Sequence, residues 1–179
     1  MQTEFPNLDI IGPRLVLRRM READGDQFIA LARASRDFHH PWVELPATRQ
    51  RFDNYLLNRQ PPTDESFAVC ALETKQLVGA INLNCIVRGS FQSAYMGYWI
   101  GAPFARRGYM TEALKLLTHF AFNKLNLHRL EANIQPDNVA SITLVRKCGF
   151  RREGFSPKYL QILGEWRDHE RWALLAEDK

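Results

Sequence analysis

The chain has 179 residues, within the roughly 100–200 expected of a single domain and enough to bury a core. Its residues are 45% hydrophobic and 25% charged, which excludes an intrinsically disordered or low-complexity protein and implies one domain over 1–179. The formal charge is only +4, and basic pairs such as Arg18-Arg19, Arg106-Arg107 and Arg151-Arg152 are dispersed. That pattern argues against a nucleic-acid-binding tail and fits either a solvated surface or mild steering of a polyanionic ligand or a ribosomal neighbourhood.

Three cysteines, Cys70, Cys85 and Cys148, are far apart, odd in number and without metal or redox spacing. They indicate a reduced compartment, and each sits in an apolar run, so core packing is expected of all three. The opening MQTEFPNLDI has no basic-then-apolar leader, and no run approaches the ~18 apolar residues of a spanning helix. A cytoplasmic protein without membrane contact is the expectation.

Arg14 to Arg19 alternates as a first strand, and Glu22 to Ala34 carries Phe28, Ile29, Leu31 and Ala32 at helical spacing. After the loop His39-His40-Pro41-Trp42, Thr48 caps a second helix running to about Arg59, before Pro61-Pro62. Phe67 to Leu72, Leu77 to Val87 and Phe91 to Ile100 read as sequential antiparallel strands joined by turns. Thr111 to Asn126 is an amphipathic helix with Leu114, Leu117, Phe120, Ala121 and Leu125 on one face. His128 to Gln135 is a strand, Asn138 to Cys148 a helix capped by Asn138 and stopped by Gly149. Two last strands follow, Phe150 to Phe155 and Tyr159 to Leu175, the latter broken at Leu163-Gly164 into a hairpin. The order β-α-α-β-β-β-α-β-α-β-β gives an α/β (α+β) domain on a mixed sheet of about seven strands with four helices.

The junction Gly101 to Ala113 delivers a strand through a short Arg- and Gly-containing loop into a helix start. Unpaired amides and the positive end of the helix dipole meet there, so the backbone from Arg106 through Arg107, Gly108, Tyr109 and Met110 to Thr111 suits a pyrophosphate. Gly108 leaves room for close approach, having no Cβ. Neither GxxxxGK[ST] nor GxGxxG is present, so a P-loop or Rossmann nucleotide site has no motif behind it.

Several spaced motifs now stand in one order: Val87-Arg88-Gly89-Ser90-Phe91, Gly97-Tyr98-Trp99-Ile100-Gly101, Arg107 to Leu114, Asn138-Val139-Ala140-Ser141, Gly149-Phe150 and Gly164 to His169. Through them nearly the whole chain resembles the GCN5-related N-acetyltransferase superfamily, and within it the ribosomal-protein-alanine N-acetyltransferases. The resemblance implies a twisted, mostly antiparallel sheet and acetyl-CoA as co-substrate with no metal. It implies that the backbone of Tyr98, Trp99 and Ile100 pairs with the pantetheine arm, that Asn138 contacts that arm, and that Ser141 donates to the departing thiolate. It also puts Trp42, Phe38 and Pro41 in the loop covering the acceptor site, with Trp42 as its aromatic wall. The family loop usually carries Gln or Arg where this chain has Ala105, and often a glycine where it has Arg106.

Thioester aminolysis needs a neutral amine. Near pH 7.5 roughly a third of an α-amine but only ~0.1% of a lysine is neutral, so a protein N-terminus, of ribosomal-protein type by resemblance, is the favoured acceptor. Glu44, Glu131, Glu165 and Asp168 are all open as general base, as is water. The five histidines have no metal spacing and read as packing or surface residues. A small-amine acetyltransferase and a non-catalytic acyl-CoA-binding module are the competing readings.

Overall fold

A computed structural model describes residues 9–178; the reading made on the first eight residues lies outside them. In chain order the strands are β1 (Ile10–Ile11), β2 (Leu15–Arg19), β3 (Glu65–Ala71), β4 (Leu77–Val87), β5 (Ser93–Ile100), β6 (Arg129–Ile134), β7 (Arg151–Ile162) and β8 (Glu165–Leu175). The helices are α1 (Gly25–Ala34), α2 (Arg36–His39), α3 (Arg49–Leu57), α4 (Tyr109–Asn123) and α5 (Val139–Lys147). The sheet thus has eight strands rather than about seven, and the described residues form five helices rather than four. The additions, β1 and α2, are two and four residues long, too short to show a period.

Local chemistry fixes most boundaries. The Thr48 hydroxyl accepts from the Arg51 amide and the Asn138 side-chain Oδ1 from the Ser141 amide, capping α3 and α5. Leu163 and Gly164, at φ 52° and 82°, make the two-residue turn between β7 and β8.

The sheet runs β1-β2-β3-β4-β5-β6-β8-β7, with every neighbouring pair antiparallel except β5 and β6. Its central strands are buried on both faces. Phe67 and Val69 join Leu114, Leu117 and Phe120 of α4 on one side, while Ala68 and Cys70 join Phe28 of α1 and Phe52 and Tyr55 of α3 on the other. Phe28 is the hub of that second core, with ring centroids 5.0 Å from both Phe52 and Trp99. Burial of one such ring stabilises by about 1.5–3 kcal/mol.

What positions a site is a break in pairing. β5 is paired with β4 from Asn84↔Tyr95 to Gly79↔Ile100, but with β6 only at Ser93↔Arg129, Ala94↔Leu130 and Tyr95↔Glu131. From Met96 onward the two strands part, and the edge of β5 that faces β6 has no strand beside it. Unpaired amides and carbonyls on such an edge can accept an extended, amide-bearing chain.

The expectation for the cysteines needs correcting. Cys70 is buried and Cys148 half-buried, and burial raises both thiols, but Cys85 is exposed. Pairing of β4 with β5 becomes irregular between Asn84 and Val87, and Cys85 has φ 51°. Core packing was expected from the apolar run around Cys85, and this kink turns its side chain outward while its neighbour Ile86 goes into the core. Among the described residues no helix is long and apolar enough to cross a membrane.

Candidate active site

The loop between β5 and α4 forms a cradle of free amides. Gly108 stands at φ 78° and ψ 2°, immediately before Tyr109 begins α4, and no backbone amide from Arg106 to Thr111 donates to a partner among the described residues. Arg106 has φ 61°, so it adopts the left-handed conformation that a glycine would take without strain, at a cost of about 1–2 kcal/mol. Its side chain is exposed, so the arginine crowds nothing in the loop.

Arg14, on the turn between β1 and β2, braces this cradle. Its guanidinium donates to the Arg107 carbonyl at 2.9 Å and to Glu112 Oε2 at 2.9 Å, and lies over the Tyr109 ring. Glu112 also accepts from the Arg14 and Leu15 amides, at 2.8 and 3.2 Å. The sequence reading missed this brace; an acid in the first turn of α4 was the available signal, and its partner is 98 residues away.

Across the opening between β5 and β6, the Tyr98 phenol and the Ser141 hydroxyl lie 2.6 Å apart. Burial raises the Tyr98 phenol well above its ordinary 10, with the Ser141 hydrogen bond opposing the shift, so Tyr98 is neutral at physiological pH. Asn138 uses Oδ1 to cap α5 at Ser141, and its amide N–H groups donate to nothing else among the described residues. Capping and binding another carbonyl are therefore compatible. The expected sites on β5 and at the start of α5 meet at this opening through Tyr98 and Ser141, and the cradle follows β5 directly in the chain; Trp99 instead pairs with Ala80 of β4 and buries its indole against Phe28 and His39.

On the other side of β5 lies a groove of about 400 Å³ between the α2–α3 loop, α3 and strands β4 and β5. Val43, Glu44 and Leu45 form its loop wall, and Gly97 and Tyr98 its floor on β5. Trp42 does not line it; its carbonyl accepts from Gln135 Nε2 at 3.1 Å, tying the loop to the end of β6. A Cβ at Gly97 would stand 3.3 Å from Asn84 Nδ2, so glycine keeps the floor open. Beneath it, Tyr55, Ser66 and Asn82 form a buried hydrogen-bonded cluster at 2.8–2.9 Å.

Of the four candidate bases only Glu44 lines this groove, and its 2.7 Å bond to Arg51 holds it below the usual carboxylate range. Glu131 is paired with Arg129 and Glu165 with Arg167, while Asp168 accepts from the Lys158 amide in the β7–β8 hairpin.

His39 is buried at the end of β5, its Nε2 2.9 Å from the Ile100 carbonyl. Burial lowers its pKa, as it does for His169. The unfolded chain then binds protons more readily than the folded one as pH falls below about 6.5, so stability is complete above that pH and is lost below it. The melting temperature should fall between pH 7.5 and 5.5, and His39→Gln should flatten that slope. An unchanged slope would remove His39 as a contributor.

The acetyltransferase (GNAT) domain family matches residues 14–151 of the chain. A probable N-acetyltransferase, YjcK of Bacillus subtilis, is 30% identical over 93% of this chain and 97% of its own length. The ribosomal protein uS5-alanine N-acetyltransferase of Escherichia coli is 29% identical over 99% of this chain and 95% of its own. Among solved structures, Mycobacterium smegmatis RimJ in complex with CoA-disulfide matches with a TM-score of 0.85 at 25% identity, covering 92% of this chain and 83% of that one.

Proposed function

The chain belongs to the GNAT acetyltransferase family and is an acetyl-CoA-dependent N-acetyltransferase, and we propose that its acceptor is the N-terminal α-amine of a protein, of the ribosomal-protein type. The observation that carries this reading is the lining of the groove beside β5. It holds two guanidiniums, Arg51 and Arg59, against one carboxylate, Glu44, which is already paired with Arg51. A polyamine would need carboxylates there, whereas Asn54, Asn58, Asn82 and Asn84 offer the amide groups that suit a peptide backbone. The uS5-alanine acetyltransferase relative supports the same acceptor class.

In this reading the amides from Arg106 to Thr111 hold the pyrophosphate, the edge of β5 that β6 leaves open at Tyr98 and Ile100 pairs with the pantetheine arm, with the Ile100 carbonyl shared with His39, and the Asn138 side-chain amide steadies that arm. The acetyl group then lies near the Tyr98–Ser141 pair, and the peptide enters along the groove, with Trp42 in the loop above. The neutral amine attacks the thioester carbonyl, a C–N bond forms, and the C–S bond breaks. Neither hydroxyl is acidic enough to surrender its proton outright to a thiolate of pKa near 8.5. Tyr98 donates to Ser141 and Ser141 to the developing thiolate, stabilising it as it leaves; the proton lost by the amine ends on sulfur through groove water. Because an α-amine is already about a third neutral near pH 7.5, no strong base is required.

Acetyl-CoA turnover should be measured with peptides beginning Ala or Ser against a panel of polyamines, aminoglycosides and amino acids. Preferred acetylation of the peptides is the expected result. Preference for a small amine would replace this acceptor, and tight CoA binding without turnover on any amine would identify a binding module.

A further inference from the structure

Arg59 is the one cation of the groove that its described surroundings do not neutralise. It follows the C-terminus of α3, and its guanidinium lies 4.3 Å above the Tyr55 ring centroid. It forms no ion pair with a carboxylate among the described residues; its only hydrogen bond there runs from Nη1 to the Tyr55 carbonyl, at 3.5 Å. Nε is buried without a partner, while Nη2 is neither buried nor bonded to another described residue. Glu65, across the small adjoining cleft, is taken by Arg19 at 2.8 Å, and Glu44 is taken by Arg51. The position of Arg59 after a helix C-terminus stabilises the cation there, yet leaves most of its fork of five donors unused.

Resting on the proposed acceptor reading, we propose that Arg59 is a specificity residue that binds a carboxylate of the acceptor, so that the preferred N-termini carry Asp or Glu within the first residues after the acetylated one. The guanidinium rests over the Tyr55 ring, and Tyr55 is itself held by Ser66 and Asn82 beneath the floor of the groove. A guanidinium so held loses little freedom on binding and presents a planar donor fork of the kind that matches a carboxylate. Asn54 and Asn58 flank the same wall with further amide donors. Polycationic acceptors are repelled by the same charge.

The test uses the full chain, acetyl-CoA and peptides starting with Ala or Ser that differ only in Glu against Gln at the second, third or fourth residue. A hydrogen bond to a charged group, made or lost, shifts kcat/KM by roughly 10–100-fold, and Glu at one of these positions should exceed Gln by that factor. Arg59→Gln should remove the preference by slowing the Glu peptide alone, and Arg59→Lys should restore part of it. Equal rates for Glu and Gln peptides in the unaltered protein would overturn the assignment. So would an Arg59→Gln loss that is the same for both, the signature of a purely structural arginine. If free aspartate or glutamate is acetylated in an Arg59-dependent way and peptides are not, carboxylate recognition stands and the peptide acceptor falls. If no amine turns over, calorimetry of the same Glu and Gln peptides on the CoA-bound protein decides, an equal affinity counting against Arg59.

Discussion

Ser141→Ala will lower kcat by about 10², the low end for loss of a proton-donating group, because a CoA thiolate is already a fair leaving group. The dissociation constant of acetyl-CoA should stay where it was, since in its proposed role the hydroxyl acts on charge that develops only as the C–S bond breaks. Tyr98→Phe removes the phenol 2.6 Å from that hydroxyl and should cost less than the serine itself. In a Ser141→Ala background it should cost almost nothing, because two groups acting in series are not additive. Asn138→Ala offers the contrast: it takes away the α5 cap, worth about 1 kcal/mol, and should weaken acetyl-CoA binding rather than chemistry. Full kcat in Ser141→Ala, under conditions where chemistry limits turnover, would reduce the serine to a first-turn structural residue and send the thiolate's hydrogen bond elsewhere.

Gly108→Val should weaken acetyl-CoA binding by roughly 10–100-fold, the loss of one to two contacts of about 1.4 kcal/mol each. Two effects add. Gly108 has φ 78°, a conformation in which a β-branched residue is strained, and its new Cβ would stand 3.3 Å from Arg14 Nη2, against the brace that holds the loop. The amides proposed to hold the phosphates would then shift together. Gly108→Ala should fall between the two, and calorimetry beside a melting curve separates lost affinity from lost folding. A folded Gly108→Val protein with unaltered affinity would place the pyrophosphate elsewhere.

Much of this arrangement was readable in the chain. Thr48 and Asn138 announced two helix starts, the apolar stripe of α4 announced a third helix, and Leu163-Gly164 marked the hairpin, because each depends on neighbours a few residues away. The loop residues Arg106 to Thr111, the strand Tyr98 to Ile100 and the Asn138–Ser141 turn were each named as candidates one by one. Their convergence was not. The alternation of β5 is the same whether or not a neighbour pairs with it, so the sequence of Ser93–Ile100 does not tell that pairing with β6 stops after Tyr95. Arg14 and Glu112, Tyr98 and Ser141, and Tyr55 and Asn82 meet only through the fold, at separations of 27 to 98 residues. Cys85 failed for a local reason: an apolar run does not reveal a kink, and the one in β4 turns this side chain to solvent.

The parting of β5 from β6 leaves the molecule with an open seam in the middle of its sheet, and an open strand edge invites a strand from another molecule as readily as a ligand. Three side chains already close parts of that seam. His39 occupies the Ile100 carbonyl at one end, Tyr98 crosses to Ser141, and Gln135 ties the far bank to the loop at Trp42. Each is polar and single, so together they obstruct a zipper of regular backbone pairing while leaving room for one narrow, flexible chain. The same three contacts that shape the entrance therefore stand where a second strand would have to pair, so one set of side chains narrows the seam both to a foreign strand and to any chain bulkier than a slender arm.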